Sequence, residues 1–540
     1  MYSQSQQNMN RFILTFSFII VYSALFSQQK SAPTATTEKF NTLLYYIENM
    51  YVDTVNSEKL VETAIIKMLE EMDPHSTYIP KEEMSEVNEP LNGNFEGIGV
   101  QFNILKDTIF IVSPISGGPS EKLGIMAGDK IIEIDGVTVA GTGITNDDVM
   151  KKLKGPKGTH VKVGIQRKGL KELIEFDIER DKIPIYSVDA SYLVEPGIGY
   201  IKVNRFAKTT LEELRTALTD LNKQGMQSLI LDLQGNGGGL LNASIEMADE
   251  FLSGNKLIVY TEGRAFPKDE TLASKDGLFE KGKLVVLIDE GSASASEIVS
   301  GAIQDWDRGI IVGRRSFGKG LVQRPVTLPD GSMVRLTVQK YFTPTGRCIQ
   351  KPYDEGSEAY HKERYERFEK GELFNLDSLH LPDSLKYFTK YKKRVVYGGG
   401  GILPDIFVPV DTSYSSEYFS NLIRKGVINS WALTYVDKNR PQLQKQFSTI
   451  KSFISGFKMS ASMHSELLSQ AEKEEIVFNE EEYQRSKYAI ELRIKALIGR
   501  NLFENGDFYR IINDMNPAFK KGLEILKDGT FDRMKIADNG

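Results

Sequence analysis

The 540-residue chain carries 67 Lys and Arg against 73 Asp and Glu, a net charge of −6, with 40% hydrophobic and 26% charged residues. That balance describes a globular chain of roughly two to four domains, and with no basic stripe it excludes nucleic acid as a partner. A single cysteine, Cys348, excludes an internal disulfide and a cysteine-rich zinc site. The histidines at 75, 160, 361, 380 and 464 lack metal-ligand spacing, so no metal is assigned.

In chain order, FILTFSFIIVYSALF (residues 12–26) is an uncharged apolar run after Arg11, with Ser23, Ala24, Ser27 and Gln28 at its exit. It is shorter than the roughly 20 residues that cross a bilayer as a helix. Residues 1–27 therefore read as an export signal, with an uncleaved inner-membrane anchor as the alternative. Either places the mature chain in the periplasm or cell envelope. Residues 28–37 read as a polar linker. The spacing of Leu43, Leu44, Ile47, Leu60, Ile65, Ile66 and Leu69 predicts an N-terminal helical segment over 38–90, its helices stopping at the turn-rich DPHSTYIP.

Over 91–182 the pattern changes to short strands broken by glycine turns, among them VQFNI, TIFIVS and THVKVGIQRK, a compact β-rich module. Residues 183–410 alternate strand and helix: GYIKVN, TLEELRTALTDLNKQG, SLILDLQ, LLNASIEMADEFL, KLVVLID and GIIVG. This predicts a parallel or mixed sheet with crossover helices. Within it, 351–397 is dense in charge (KERYERFEKGE) and reads as a solvated insertion; 411–540 reads as a helical tail. The fold class is multidomain, α/β and β.

Loops that follow parallel strands gather at the carboxyl edge of the sheet, where open α/β sheets bind ligands. Three glycine- and serine-rich loops fall there: GNGGG (235–239), SASASE (292–297) and SFGKG (316–320). Each has an ordinary reading alone, as a tight turn, an S-x-x-E helix cap or a solvated lysine. Converged, they supply the parts of an acyl-transfer site. Backbone N–H groups of a glycine turn and a helix start can hold an oxyanion. A serine beside that helix start can attack a carbonyl, and with no histidine nearby in sequence, neutral Lys319 is the candidate base. Gln323, four residues on, can orient its amine. Deprotonation near neutrality needs a shift of about 3 units, roughly 4 kcal/mol, which burial can produce. The hydrolase elbow G-x-S-x-G is absent, and Ser316–Lys319 matches S-x-x-K without its companions S-D-N and K-T-G.

The motifs LEEMDPHSTYIP, FEGIGVQF, AGDKIIEIDG, LILDLQGNGGGLL, SASASEI, FGKGLVQ, YFTPTGRCIQ and GILPDI occur in this order between Tyr51 and Val408. In them the chain resembles the carboxyl-terminal processing peptidases, or tail-specific proteases, exported serine–lysine enzymes with a crotonase-like core. The resemblance implies that Ser294 is the nucleophile, Lys319 the base and Gln323 its partner, with N–H groups of Gly239 and Ala295 as the oxyanion hole. It also implies that 91–182 is a PDZ domain whose loop Gly97-Ile98-Gly99-Val100 holds a substrate's terminal carboxylate. Partners are then proteins with exposed apolar C-termini, and no cofactor is implied. The N-terminus leaves membrane association open, and the helical segments leave a homo-oligomer or an adaptor open. The family's DLRxNPGG reads here DLQGNGGG, with Gln234 for Arg and Gly237 for Pro, which puts the rigidity of that loop in question. Two alternatives stand beside the peptidase: a non-catalytic PDZ-containing scaffold of the same fold, and an acyl-CoA enzyme, which the export signal disfavours.

Overall fold

The computed structural model describes residues 34–536 except 116, 275, 376, 377, 380 and 535; the apolar run at 12–26 lies outside the described residues. The described residues fall into two compact units that divide between Met68 and Leu69. In the first, Thr34 caps α1 (Ala35–Met50) by accepting the Thr37 N–H, so a helix starts inside the stretch expected to be linker. A second helix, α2 (Ser57–Glu70), follows.

In the larger unit, DPHSTYIP is more than a turn. The Asp73 carboxylate gathers the N–H groups of His75 and Ser76, and β1 (Thr77–Ile79) then pairs antiparallel with Arg335–Met333. The end of the expected helical segment is thus a strand of the α/β core. After α3 (Met84–Asn92), β2 (Asn94–Gly97) pairs with β9 (Asp181–Pro184) and closes the base of a small β domain. Its sheet runs β3 (Val100–Ile104), β4 (Ile109–Pro114), β5 (Lys130–Ile134), β7 (His160–Gln166), β8 (Ile174–Glu179), with β6 (Val137–Thr138) beside β5. Short helices α4 (Pro119–Lys122) and α5 (Asn146–Leu153) complete it. Fully buried Ile109, Ile111, Ile131, Val163 and Ile165 form its centre.

The central sheet has the order β10 (Val188–Glu195), β11 (Ile198–Val203), β12 (Ser228–Asp232), β15 (Lys283–Ile288), β16 (Ile310–Gly313), β21 (Ile406–Phe407). All neighbours from β11 onward are parallel. Continuous burial along SLILD and KLVVLI reflects a sheet covered on both faces. On one face lie α6 (Thr210–Lys223), α7 (Leu241–Asp249) and α8 (Ala295–Asp305), whose Leu218, Met247 and Val299 pack with Leu229, Leu231 and Val286. The other face, with Ile230, Val285 and Leu287, is covered from the far end of the chain: Ala518, Phe519, Ile525 and Leu526 of the helix Pro517–Lys527. The tail is helical as expected, but its last helices are a layer of the core. The helices between Glu417 and Ile512 have a separate core around Trp431, Phe453 and Ile490.

A second sheet is built on the long β18 (Met333–Phe342), which pairs with β1, β13 (Leu257–Glu262) and β17 (Leu321–Thr327), while β14 (Asp269–Leu272) flanks β13. Between the sheets' last strands comes the charged stretch 351–397, containing α9 (Ser357–Glu369), β19 (Lys386–Phe388) and β20 (Val395–Tyr397). Much of it is exposed, as expected, but a few of its residues are anchored in the core. Tyr360 and Arg367 of α9 are buried, as is Lys351. Glu363 pairs with Lys351 and Arg367 inside the stretch, and Glu363 and Glu372 reach out of it to Arg315. The anchored charges read as exposed because paired charges and free ones look alike in sequence.

Candidate active site

The three loops expected on one edge do meet there. GNGGG follows β12, SASASE follows β15, and SFGKG follows β16, three adjacent parallel strands. Asp289, at the end of β15, ties two of them by accepting the N–H groups of Gly235 (2.8 Å) and Gly291 (2.9 Å).

The alternating serines have different fates. Ser292 is fully buried; its hydroxyl donates to the Leu233 carbonyl and accepts the Asp289 N–H. Ser296 is also fully buried and donates to the Asn236 carbonyl at 2.8 Å. Ser294 is half-buried and caps the helix mainly through its backbone: the N–H groups of Glu297 and Ile298 go to its carbonyl oxygen, and its own N–H goes to the Glu297 carboxylate. It occupies the strand-to-helix turn with φ +55° and ψ −111°, a strained conformation for a residue with a Cβ. Nucleophile elbows store the same kind of strain to lift a hydroxyl clear of the sheet. Ser316, the competing S-x-x-K serine, is fully buried between the Glu297 carboxylate (2.5 Å) and the Ile402 N–H (2.6 Å).

Glycine brings the loop against this turn. A Cβ on Gly238 would lie 2.9 Å from Ser294 Cβ and 3.1 Å from Ala295 N, and one on Gly239 would lie 2.0 Å from the Phe206 carbonyl oxygen. The Gly238 N–H is taken by Asn236 Oδ1. Among the described residues no acceptor takes the N–H of Gly239 or of Ala295. Asn236, fully buried, also reaches the Val203 carbonyl and accepts the Ala293 N–H, so the loop is held without the family's proline. Gln234, where the family has Arg, accepts from Asn516 Nδ2 at the start of the core-covering C-terminal helix.

Ser294 and Lys319 are joined through two side chains. The Glu297 carboxylate accepts the N–H groups of Ser294 (2.7 Å), Gly318 (2.7 Å) and Lys319 (3.0 Å) as well as the Ser316 hydroxyl. The Tyr341 hydroxyl reaches the carbonyls of both Ser294 and Lys319. Burial raises Glu297 to about 7 against the pull of those donors. Burial, helped by Arg335, holds the Lys319 ammonium below the usual lysine range, opposed by Asp73 and Glu297. From α9, Arg367 donates to the carbonyls of Ser316 and Phe317 and braces the same loop.

Gln323 faces Thr337 across the β17–β18 pair, its Nε2 donating to Thr337 Oγ1 at 3.1 Å. The register slips by one residue between Val322 and Gln323, the kind of bulge that re-aims a side chain. His75, expected to be an ordinary histidine, lies within electrostatic reach of Lys319 and bonds the Tyr360 hydroxyl at 2.8 Å. Burial and then the lysine's charge lower it to about 4. Sequence reasoning took Glu297 for a helix cap and passed over Asp73, Asn236, Thr337 and Tyr341. The available signal for Glu297 was a carboxylate opening the otherwise charge-free run SASASEIVSGAI.

In the β domain, Ile98 and Gly99 connect β2 to β3, an edge strand; Gly97 bridges antiparallel to Lys154, and no acceptor among the described residues takes the Gly99 N–H. Gly97 ends β2 and Val100 opens β3. Gly99 has φ +74°, and a Cβ there would meet Ile183 Cδ1 at 2.8 Å.

Residues 197–356 match the family model of peptidase family S41, 97–178 that of the PDZ domain, 22–83 that of the N-terminal domain of the activating protease CtpB, and 418–504 a family of unknown function. The chain is 35% identical over 342 residues to a carboxy-terminal-processing protease of Bartonella bacilliformis, spanning 62% of this chain and 78% of that one. It is 37% identical over 326 residues to the carboxy-terminal processing protease CtpA of Bacillus subtilis, spanning 60% and 69%. Among solved structures, the photosystem II D1 C-terminal processing protease is 31% identical, covering 58% of this chain and 83% of that one, with a TM-score of 0.34. With 35% identity across 78% of one such protease, and with the peptidase and PDZ models matched in turn, the chain belongs to the carboxy-terminal processing proteases of peptidase family S41 and is a serine-type peptidase.

Proposed function

We propose that Ser294 is the nucleophile of this peptidase and Lys319 its general base, that Gln323 orients the amine, and that the Gly239 and Ala295 N–H groups receive the oxyanion. The observation that carries this reading is that two of the three alternating hydroxyls are consumed by backbone groups, while Ser294 stands on a strained turn linked to Lys319 through Glu297 and Tyr341. Neutral Lys319 takes the hydroxyl proton as Ser294 Oγ bonds to the substrate carbonyl carbon, and the carbonyl π pair moves onto oxygen. On collapse the C–N bond breaks and the Lys319 ammonium returns its proton to the leaving amine. Water then repeats the sequence on the acyl-enzyme, releasing the acid and restoring Ser294.

Substrates are proteins with exposed apolar C-termini. The loop Gly97-Ile98-Gly99-Val100, with the Gly99 N–H unclaimed among the described residues, suits a terminal carboxylate, and the edge of β3 suits strand addition by the preceding residues. Export by residues 1–27 puts this activity in the periplasm or cell envelope, a reading supported by the apolar run and its small-residue exit. The test is turnover of an unstructured protein ending in apolar residues. Ser294→Ala and Lys319→Ala each abolish it, and Lys319→Arg does too, because guanidinium keeps its proton. Near-normal turnover in Ser294→Ala with loss in Ser316→Ala overturns the reading.

A further inference from the structure

Resting on the proposed function, in which Lys319 is the base and Gln323 its partner, the geometry points to Asp73, acting through Thr337, as the group that fixes which end of the Gln323 carboxamide faces the lysine. Asp73 is buried and its carboxylate is surrounded by donors: the N–H groups of His75 (2.8 Å) and Ser76 (2.9 Å), the Ser76 hydroxyl (2.6 Å) and the Thr337 hydroxyl (3.0 Å). Ser76 Oγ, its proton given to Asp73, accepts the Thr337 N–H at 3.0 Å, so Thr337 is held at backbone and side chain together. The pairing of β1 with β18 sets this contact.

A hydroxyl has one proton. Asp73, accepting only, takes the one on Thr337, which leaves Thr337 Oγ1 nothing but lone pairs for Gln323. Only the amide nitrogen can bond there, and Nε2 is the atom found, at 3.1 Å. The carbonyl oxygen Oε1 is thereby the end left for the amine. That polarity matters chemically. An oxygen accepts an N–H of Lys319 and leaves the amine's lone pair aimed at the serine proton. A flipped amide donates into that lone pair and quenches the base. Three charged side chains act on Lys319: Asp73 from the loop after α2, Glu297 from α8 and Arg335 from β18. Neutral His75 lies beside Asp73. Thr337 carries no charge, so changing it leaves all of these in place. Asp73 and Thr337 are positioning residues; neither touches substrate in this account.

The test is the pH dependence of kcat, with KM, for a short fluorogenic peptide on wild type, Thr337→Val, Thr337→Ala and Thr337→Ser. Freed to rotate, the Gln323 amide stops stabilising the ammonium. In Thr337→Val the plateau kcat therefore falls about tenfold, the acid limb moves to lower pH and KM is unchanged, while Thr337→Ser restores both kcat and limb. Thr337→Ala gives the Val result and serves in its place if the Val protein has lost its cooperative melt. A wild-type kcat and profile in the Val or Ala variant overturns the inference. So does a loss of kcat with the limb unmoved, which is what simple loosening gives. Ser294→Ala and Lys319→Ala run alongside: if these keep turnover the site reading fails, whereas if they are dead and Thr337→Val behaves as wild type, only the positioning role fails.

Discussion

At the residue scale the proposed mechanism depends on one amine, that of Lys319, staying neutral so that it can take the Ser294 proton. Burial and the Arg335 charge lower Lys319, and Asp73 and Glu297 oppose them. The base is the deprotonated form, so kcat/KM rises as pH climbs through the lowered pKa. His75, at about 4, has already lost its proton below that range and adds no second limb between pH 5 and 8. A plot of log kcat/KM against pH is expected to have an acid limb set by Lys319, with Glu297, raised to about 7 and bonded to the N–H groups of Ser294 and Lys319, adding a titration of its own near 7. Arg335→Gln removes a like charge, raises Lys319 and moves that limb to higher pH; an unmoved limb contradicts the assignment of Lys319 as base. Glu297 adds a stability counterpart. Its carboxyl is raised to about 7 in the folded chain from 4.5, so the native state binds that proton more tightly. The stabilisation is present below about 4.5 and lost as pH rises through about 7. The difference in Tm between wild type and Glu297→Gln is therefore expected to shift in favour of the Gln variant over that window.

At the element scale, the proposed chemistry falls on the loops that follow β12, β15 and β16, and glycine sets their approach. Gly238 has φ +102° and presses on Ser294, whereas a Cβ on Gly237 meets nothing within 4 Å and its φ is outside the left-handed range. Gly238→Ala is expected to displace the oxyanion loop and lower kcat by about 10²–10³. Gly237→Ala is expected to keep full activity and to gain about 0.4–1 kcal/mol from a stiffer unfolded chain. Steady-state kinetics and thermal melts on both proteins check the pair. The convergence of GNGGG, SASASE and SFGKG was legible because strand–helix alternation forces parallel strands, and parallel strands put their following loops on one edge. Ser292 and Ser296 were legible as structural because they flank the turn. Asp73 and Thr337 were not, since 264 residues separate them and only the β1–β18 pairing joins them. Nor was the role of 351–397: Arg367 seeks carbonyls of the lysine loop, and nothing in KERYERFEKGE distinguishes that arginine from its solvated neighbours.

At the scale of the whole molecule, the chain's last helices complete the layer over the face of the central sheet opposite α6, α7 and α8. Phe519 packs edge-on to Tyr200, and Asn516 holds Gln234 one residue before the glycine loop. Phe519→Ala is expected to cost about 3–5 kcal/mol, and a chain ending before Pro517 is expected to lose the fold of the α/β core, which thermal melts and limited proteolysis check. The PDZ domain joins that core through the short DKIPIYSV, part of which is β9. Replacing Gly99 with Leu, against both its φ and Ile183, is expected to weaken cleavage of tailed proteins and spare short peptides; equal loss on both contradicts recruitment by this loop. The central claim concerns one hydroxyl in the entire chain, and covalent labelling addresses it most directly. Wild-type protein treated with a fluorophosphonate, then weighed intact and mapped by tandem mass spectrometry, is expected to carry one adduct per chain, on Ser294, and Lys319→Ala is expected to carry none. An adduct on Ser292, Ser296 or Ser316, or undiminished labelling of Ser294 without Lys319, would contradict the account.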